Sequence, residues 1–238
     1  MIDHICRRRS VRAYADQPVS DQILQEILTF LSTARPLYPD IRVLARVVKK
    51  EQVRFYMPWK SPQLLAIYSE NKPGYLENVG FIFQQVDLYL QSRGLGSCWM
   101  GLGKLREQLD DLGDMEFVIL MAFGWPKDSP KRSGASDFKR KDPEEIADWP
   151  DIRLEPARLA PSSTNSQPWY FVHGESAIHA YRNRAGLIRH RMLGSMNQID
   201  MGIALAQLYV ANADSFRFFT AEAPELKNYD YFGSFTLE

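Results

Sequence analysis

The most informative stretch of this sequence is Ala160-Pro161-Ser162-Ser163-Thr164-Asn165-Ser166-Gln167-Pro168-Trp169, called here the serine loop. Its small polar and turn-forming residues are followed by an amide and by a Pro-Trp pair that opens an apolar run. Pro161 favours a loop, and the side chains of Ser162, Ser163 and Asn165 can both donate and accept hydrogen bonds. Such a loop suits a ligand that carries carbonyl groups and ring nitrogens. The spacing alone leaves open an ordinary loop between a helix and a strand.

Three further segments carry polar or basic motifs. They are Arg8-Arg9-Ser10-Val11-Arg12-Ala13-Tyr14 followed by Pro18-Val19-Ser20, Gly94-Leu95-Gly96-Ser97-Cys98-Trp99-Met100-Gly101, and Phe138-Lys139-Arg140-Lys141-Asp142-Pro143-Glu144-Glu145. Together with the serine loop, these segments closely resemble the flavin-binding motifs of the nitroreductase-like FMN flavoproteins. The resemblance implies FMN as cofactor.

The resemblance also implies a role for each matching residue. The predicted phosphate ligands are Arg8, Arg12, Lys139 and Lys141, with Arg9 and Ser10 on the ribityl chain and the pyrimidine edge. A backbone N–H from Gly101 or Leu102, beside Met100, is expected at the flavin N5, and Pro161, Ser162, Ser163, Asn165 and Gln167 are expected against the isoalloxazine ring. A buried phosphate dianion needs charge-assisted donors, and the arginine fork matches its oxygens. No catalytic acid, base, nucleophile or metal is required, since the redox chemistry belongs to the flavin.

The order of the motifs differs from that of ordinary family members. There the serine loop follows the first long helix, but residues 32–39 of this chain read Ser-Thr-Ala-Arg-Pro-Leu-Tyr-Pro. Ordinary members are homodimers in which each flavin site takes one loop from the partner. This chain therefore resembles a fused, pseudo-dimeric branch with an α+β nitroreductase-like fold. We expect two intertwined halves, residues 1–142 and 143–238, one complete flavin site per chain and a monomer.

Composition indicates an ordinary globular protein. The chain has 238 residues, 45% of them hydrophobic and 24% charged, and a formal net charge of zero. This balance gives no sign of a nucleic-acid partner. Two cysteines do not make a disulfide framework, no apolar run reaches membrane-spanning length, and no signal peptide is evident. A cytoplasmic location, with no membrane partner, is the expectation.

Hydrophobic periodicity and turn residues predict the order of elements. A first helix is expected after Ser20 and a long one over Tyr75–Arg93, ended by Gly94. The sequence Gly80-x4-Gln85 in that helix has a counterpart, Gly202-x4-Gln207, in a second long helix expected over Ile199–Asn212, which is a faint internal repeat. The other predicted elements are strands at Arg42–Val48, Gln63–Ser69, Glu116–Gly124, Trp169–His173 and Ala177–Arg182 and a short helix over Leu154–Leu159.

Three functions are compatible with these patterns. The favoured one is an FMN-dependent oxidoreductase that takes hydride from NAD(P)H and reduces nitroaromatics, quinones or similar acceptors by a ping-pong cycle. The alternatives are a flavin-handling protein without reductase activity and a family member that has lost the flavin. His173, His179 and His190 lack metal-ligand spacing, and Met192, Met196 and Met201 are expected in the core. Cys98 is expected to be a buried structural thiol.

Overall fold

The structure, a computed structural model, describes residues 1–54, 63–107, 112–128, 132–184 and 187–237, without the side chains of 187–193. The predicted roles of His190 and Met192 lie outside the described side chains. The α-helices of the described residues are α1 (Ile2–Ile5), α2 (Asp21–Thr33), α3 (Tyr75–Ser92), α4 (Pro143–Ile146), α5 (Glu155–Arg158) and α6 (Leu187–Ala211). The strands are β1 (Val43–Val48), β2 (Val53–Arg54), β3 (Gln63–Glu70), β4 (Gly96–Met100), β5 (Lys104–Leu105), β6 (Met115–Gly124), β7 (Trp169–His173), β8 (Ile178–Asn183), β9 (Arg217–Phe219) and β10 (Tyr229–Thr236). Short 3-10 turns cover Lys50–Gln52, Ala135–Asp137, Ile152–Leu154 and Ser163–Asn165.

Two antiparallel sheets repeat one topology. The first has the strand order β1-β3-β6-β4 and the second has the order β7-β8-β10-β9, while β2 and β5 form a separate pair. In each four-stranded sheet a long helix follows the second strand, α3 in the first and α6 in the second. The chain is therefore built from two copies of one unit, and the α+β class predicted from sequence is confirmed. The residue limits of the two halves, 1–142 and 143–238, remain a prediction.

The two long helices cross at a pair of glycines. A Cβ atom added at Gly80 would overlap the carbonyl oxygen of Ile199 and lie 3.1 Å from the nitrogen of Ile203. At Gly202 it would overlap the carbonyl oxygen of Glu77 and lie 2.8 Å from the nitrogen of Phe81. Each glycine thus faces the residues three before and one after the other glycine, as a two-fold axis between two subunits would require. The faint repeat in the sequence marks this pseudo-symmetric crossing.

The core surrounds this helix pair. Every residue from Leu76 to Leu88 in α3 is buried, including Asn78, Gln84, Gln85 and Asp87, because the helix is enclosed on all sides. Buried polar groups need partners, and Gln85 has them, since it accepts from the nitrogen of Arg35 and donates to its oxygen. In contrast α2 is amphipathic, and its N-cap is Ser20, whose hydroxyl accepts from the nitrogen of Ile23.

Each half sends a segment into the other, so the halves are intertwined. Tyr38, in the loop after α2, meets Phe218 of β9 edge to face at 5.9 Å. In the opposite direction, the Met196 side chain of α6 lies so close to Gly101 of the first half that a Cβ there would be 2.8 Å from it. None of the described helices is both long and apolar enough for a membrane span.

The structure corrects the predicted start of the second long helix. Helix α6 begins at Leu187 rather than Ile199. Residues 194–197 read Gly-Ser-Met-Asn, which includes weak helix formers, so local propensity gave no signal there. The strands β9 and β10 had no counterpart in the sequence prediction. In β10 a register shift between Tyr231 and Gly233 breaks the alternation that periodicity relies on.

Candidate functional site

Two cavities meet between residues 8–12, called here the N-terminal segment, and strand β4, the serine loop and helix α6. They share Ser10, Arg12, Pro161, Ser162 and Thr164 as lining residues. The cavity of about 290 Å³ is called the apolar cavity, and its other lining residues are Cys98, Trp99, Gly101, Ile119, Ser163, Met196, Ile199, Asp200 and Ile203. The cavity of about 660 Å³ is called the cationic cavity, and its other lining residues are Arg8, Arg9, Arg132, Asp137, Lys139, Arg140 and Asn165.

Arg8 anchors the N-terminal segment as well as lining the cationic cavity. Its side chain is 2% exposed, and its Nε lies 2.9 Å from Oδ2 of Asp87, as an ion pair whose N–H is not directed at that oxygen. Nη2 of Arg8 donates to the hydroxyl of Ser10. The Asp87 carboxylate also accepts from the hydroxyl of Ser97, whose carbonyl oxygen accepts from the nitrogen of Val11. Part of the charge of Arg8 is therefore already compensated within the protein.

Two more arginines concentrate positive charge in the cationic cavity. The guanidinium carbon of Arg132 lies 3.9 Å from the ring centroid of Phe138, and that of Arg140 lies 5.3 Å from it. Burial, and then repulsion from Arg8, lowers the pKa of both guanidinium groups, that of Arg140 to about 10. The charged form of both groups is thus disfavoured first by desolvation and then by the neighbouring cations. A bound anion would relieve this repulsion.

The serine loop holds a strained backbone. Thr164, Asn165 and Gln167 have φ angles of 52°, 57° and 46°, a left-handed region that costs on the order of 1 kcal/mol or more per non-glycine residue. Side chains stabilise this geometry: the hydroxyl of Ser162 accepts from the nitrogen of Gln167 at 2.9 Å. Nη1 of Arg140 donates to Oδ1 of Asn165 at 2.6 Å, so the loop and the cationic cavity are fastened together.

Asp200, in helix α6, holds the same loop by hydrogen bonds to its backbone. The nitrogen of Ser163 donates to both carboxylate oxygens of Asp200, at 3.0 and 3.1 Å. Asp200 is 3% exposed, and burial raises the pKa of its carboxyl group to about 8. Asp200 was not among the residues predicted from the sequence, although an aspartate within the apolar run Ile199-Asp200-Met201-Gly202-Ile203-Ala204 is a signal of a functional position.

Ten of the fourteen predicted site residues line the two cavities: Arg8, Arg9, Ser10, Arg12, Gly101, Lys139, Pro161, Ser162, Ser163 and Asn165. Met100 is buried in the core, and Leu102 is 61% exposed. Lys141 and Gln167 bind each other, with Nζ of Lys141 donating to the oxygen of Gln167 at 3.0 Å and the nitrogen of Lys141 donating to its Oε1. The roles of all fourteen residues in binding stay predictions. Arg132 and Arg140 were not among the predicted site residues, although Arg140 lies within the basic motif of residues 138–145.

Aromatic rings occupy the pseudo-symmetric counterpart of this site. The loop after α2 corresponds to the serine loop, and β9 corresponds to β4. There Tyr38 packs against Phe218, and Phe218 packs against Phe232 with ring centroids 5.5 Å apart. The described residues thus form the polar loop and its cavities on one side of the pseudo-symmetry axis and an aromatic cluster on the other.

Comparisons with known proteins agree with this architecture. A family model described as "Putative TM nitroreductase" matches residues 1–212. The crystal structure of a putative nitroreductase from Thermotoga maritima is similar, with a TM-score of 0.65 at 17% identity over 98% of this chain and 91% of that one. An FMN-dependent nitroreductase from Clostridium difficile has a TM-score of 0.46 at 21% identity over 58% of this chain and 95% of its own. A search of curated proteins found no match.

The family match spans both sheets' long helices and all of the residues that line the two cavities. The Thermotoga structure shows the same fold over nearly the whole length of both chains. The chain therefore belongs to the nitroreductase family, as the motifs in its sequence had indicated.

Proposed function

We propose that this protein is an FMN-dependent oxidoreductase that accepts hydride from NAD(P)H and passes it to a small organic acceptor such as a nitroaromatic or a quinone. The observation that carries this proposal is the junction of the two cavities. An elongated ligand with an anionic end and a flat, mostly apolar end would fit a cationic cavity that opens into an apolar one. FMN has this form, and FMN dependence is stated for the nitroreductase from Clostridium difficile.

The charge of the cationic cavity fits a phosphate dianion. Asp137 is the one carboxylate among the described residues that line it, against six cationic side chains. Asp137 already accepts from the nitrogen and the hydroxyl of Ser133. Nε of Arg140 is buried and has no hydrogen-bond partner among the described residues. The residues that would hold the phosphate are therefore Arg140 and Arg132, with Lys139, Arg9 and Arg12 around them.

The apolar cavity fits the ring. Ile119, Ile199 and Ile203 provide apolar walls, while the serine loop supplies fixed polar groups at one side. FMN, when bound, would supply the hydride chemistry. The protein's own residues would orient the ring and exclude water from it, and Gly101 lets the backbone approach the cavity beside Met196. The backbone N–H of Gly101 or Leu102 remains the predicted donor to the ring.

The first experiment measures cofactor binding and reduction. We expect FMN to bind to the purified protein with quenching of its fluorescence, and to bind more tightly than FAD. Anaerobic addition of NADH or NADPH should then bleach the flavin absorbance. Bleaching by one nucleotide and not the other would also settle the donor. Tight FAD binding without FMN binding would refute the cofactor assignment, and FMN binding without bleaching would favour a flavin-handling protein.

A second experiment tests whether one chain makes one site. The N-terminal segment and the serine loop line the same cavities within a single chain. We therefore propose one FMN per polypeptide and a monomer. For its location, we keep the cytoplasm that the sequence led us to expect. A variant with Arg9→Ala and Arg12→Ala is mixed with a variant carrying Ser162→Ala. No recovery of tight binding is expected, whereas recovery of about a quarter of the sites, as random pairing of the two variants would give, would show that the motifs meet across a subunit interface.

A further inference from the structure

The pseudo-symmetry of the fold pairs Asp200 with Asn78. Gly80 of α3 and Gly202 of α6 occupy equivalent positions at the helix crossing. Asn78 stands two residues before the first glycine and Asp200 two residues before the second. Both side chains are buried, and each faces a loop that follows a proline, Pro36 in one half and Pro161 in the other. The two positions can therefore be compared directly.

Asn78 shows that a neutral amide is sufficient to fasten such a loop. Its Oδ1 accepts from the nitrogens of Leu37 and Tyr38, at 2.9 and 3.0 Å. Its Nδ2 donates to the carbonyl oxygens of Tyr38 and Ile41, both at 3.3 Å. All the hydrogen-bonding capacity of the amide is used within the protein. An acid would add nothing to this structural task.

Asp200 does the same task with an ionisable group at a cavity wall. It accepts from the nitrogen of Ser163, as Asn78 accepts from the corresponding loop. Unlike Asn78, it lines the apolar cavity. A charged carboxylate in such a place is costly to desolvate, and a protonated carboxyl group there is a hydrogen-bond donor. The acid replaces the amide in the half that holds the candidate flavin site.

Few other titratable groups face Asp200. In the apolar cavity they are Arg12 of the N-terminal segment and Cys98 of β4, and the serine loop contributes the hydroxyls of Ser163 and Ser166. The elements packed against α6 carry further groups with partners of their own: Glu77 with Gln198, Asp87 with Arg8, Glu155 with Arg158, Arg182 with Asp230 and His179 with Ser234. Helix α1 adds Asp3 and His4. None of the groups on these packed elements, except Arg8 in the cationic cavity, lines either cavity among the described residues.

We propose that Asp200 is the proton-holding group of this site: its carboxyl group carries a proton when a ring ligand binds and donates a hydrogen bond to an acceptor atom of that ring. Loss of the proton turns the donor into an anion that accepts only, so the ionised protein binds the ring weakly. The step is a simple ionisation, in which the carboxyl group releases one proton to solvent and leaves a carboxylate. This inference rests on the proposed function, because FMN is the ring ligand in question.

The test compares the pH dependence of FMN binding in the wild type and Asp200→Asn. The structure indicates that the variant keeps the loop, because Asn78 fastens the equivalent loop. Between pH 7 and 9 the FMN phosphate stays dianionic, so its own titration does not interfere. We expect the dissociation constant of the wild type to rise about tenfold per pH unit above pH 8, and that of the variant to stay nearly constant.

Calorimetry gives a readout that does not depend on activity. At pH 8.5, FMN binding to the wild type should take up a proton, seen as a difference in binding heat between two buffers of unlike ionisation enthalpy. Asp200→Asn should show none. If that variant does not fold, proton uptake by the wild type alone still decides the question. The matched control is Asn78→Asp, which places an acid on the other side and should leave the pH dependence of FMN binding unchanged.

The outcomes separate the two hypotheses. FMN binding with the same pH dependence in the wild type and Asp200→Asn, or wild-type binding without proton uptake, overturns the role of Asp200 and leaves the proposed function standing. Failure of both proteins to bind FMN at any pH overturns the proposed function, and this inference with it.

Discussion

Replacing Gly202 by alanine tests the helix crossing on which the fused architecture depends. The added Cβ would overlap the carbonyl oxygen of Glu77 and lie 2.8 Å from the nitrogen of Phe81, where an ordinary contact begins near 3.4 Å. Both obstacles are backbone atoms, so no side chain can swing aside and the helices must separate by roughly 1 Å. Overpacking of this kind costs about 3 kcal/mol, and alanine recovers about 1 kcal/mol of helix propensity. We expect Gly202→Ala to destabilise the protein by about 2 kcal/mol.

Denaturant unfolding, followed by circular dichroism, measures this change. The matched control is Gly134→Ala, because a Cβ at Gly134 meets nothing within 4 Å and its φ of −179° is extended backbone. The free energy of unfolding of that variant should lie within about 0.5 kcal/mol of the wild-type value, as is usual for surface substitutions. A thermal scan should place the midpoint of Gly202→Ala about 4 to 8 °C lower, since 1 kcal/mol corresponds to roughly 2 to 4 °C in a chain of this size.

The pseudo-symmetry also predicts the stability of the double variant Gly80→Ala, Gly202→Ala. Gly80→Ala should cost about as much as Gly202→Ala, because it meets the equivalent backbone atoms of Ile199 and Ile203. Once one alanine has separated the helices, the Cβ atom of the second alanine overlaps the opposite backbone less. The double variant should therefore cost less than the sum by about 1 kcal/mol or more. A neutral Gly202→Ala, or two costs that simply add, would refute the shared crossing.

Three further predictions concern the candidate site. Arg140→Gln should weaken FMN binding ten- to a hundredfold, a loss of about 1.5 to 3 kcal/mol in fluorescence titration, while Arg54→Gln on the exposed part of β2 should leave it unchanged; equal affinities would remove Arg140 from the site. Inorganic phosphate should raise the unfolding midpoint of the ligand-free wild type more than that of Arg140→Gln, because the anion offsets the burial and the repulsion from Arg8 that lower the pKa of this arginine; equal shifts would contradict an anion site there. Asp200→Asn should gain stability relative to the wild type as pH rises from 5 to 8, by up to about 4 kcal/mol in denaturant unfolding. The folded pKa of about 8 lies above the ordinary 3.8, so the folded wild type keeps a proton that the unfolded chain loses, and its stability falls over that window; a parallel pH profile in the two proteins would show that Asp200 ionises normally.

Much of the fold could be predicted because its signals are local. The long helix α3 was predicted within one residue, since Val79, Phe83, Val86 and Leu90 recur at helical spacing and Gly94, with a φ of +78°, marks its end. Strands β3, β6, β7 and β8 were found from short apolar runs between charged and turn residues. The start of α6 and the strands β9 and β10 were not found. Packing of the second half against the first, rather than local propensity, determines these elements.

The family and the α+β class could be predicted from the sequence alone, because each motif is a short run of residue types that is visible without the fold. The sequence also recorded the duplication, through two glycines in equivalent places in two helices. Only the tertiary structure showed that Arg8 is paired with Asp87, that Arg132 and Arg140 crowd one cavity, and that Asp200 stands beneath the serine loop. Charge repulsion, burial and pKa depend on distances between residues far apart in the chain, and those distances exist only once the two halves have packed across their shared helices.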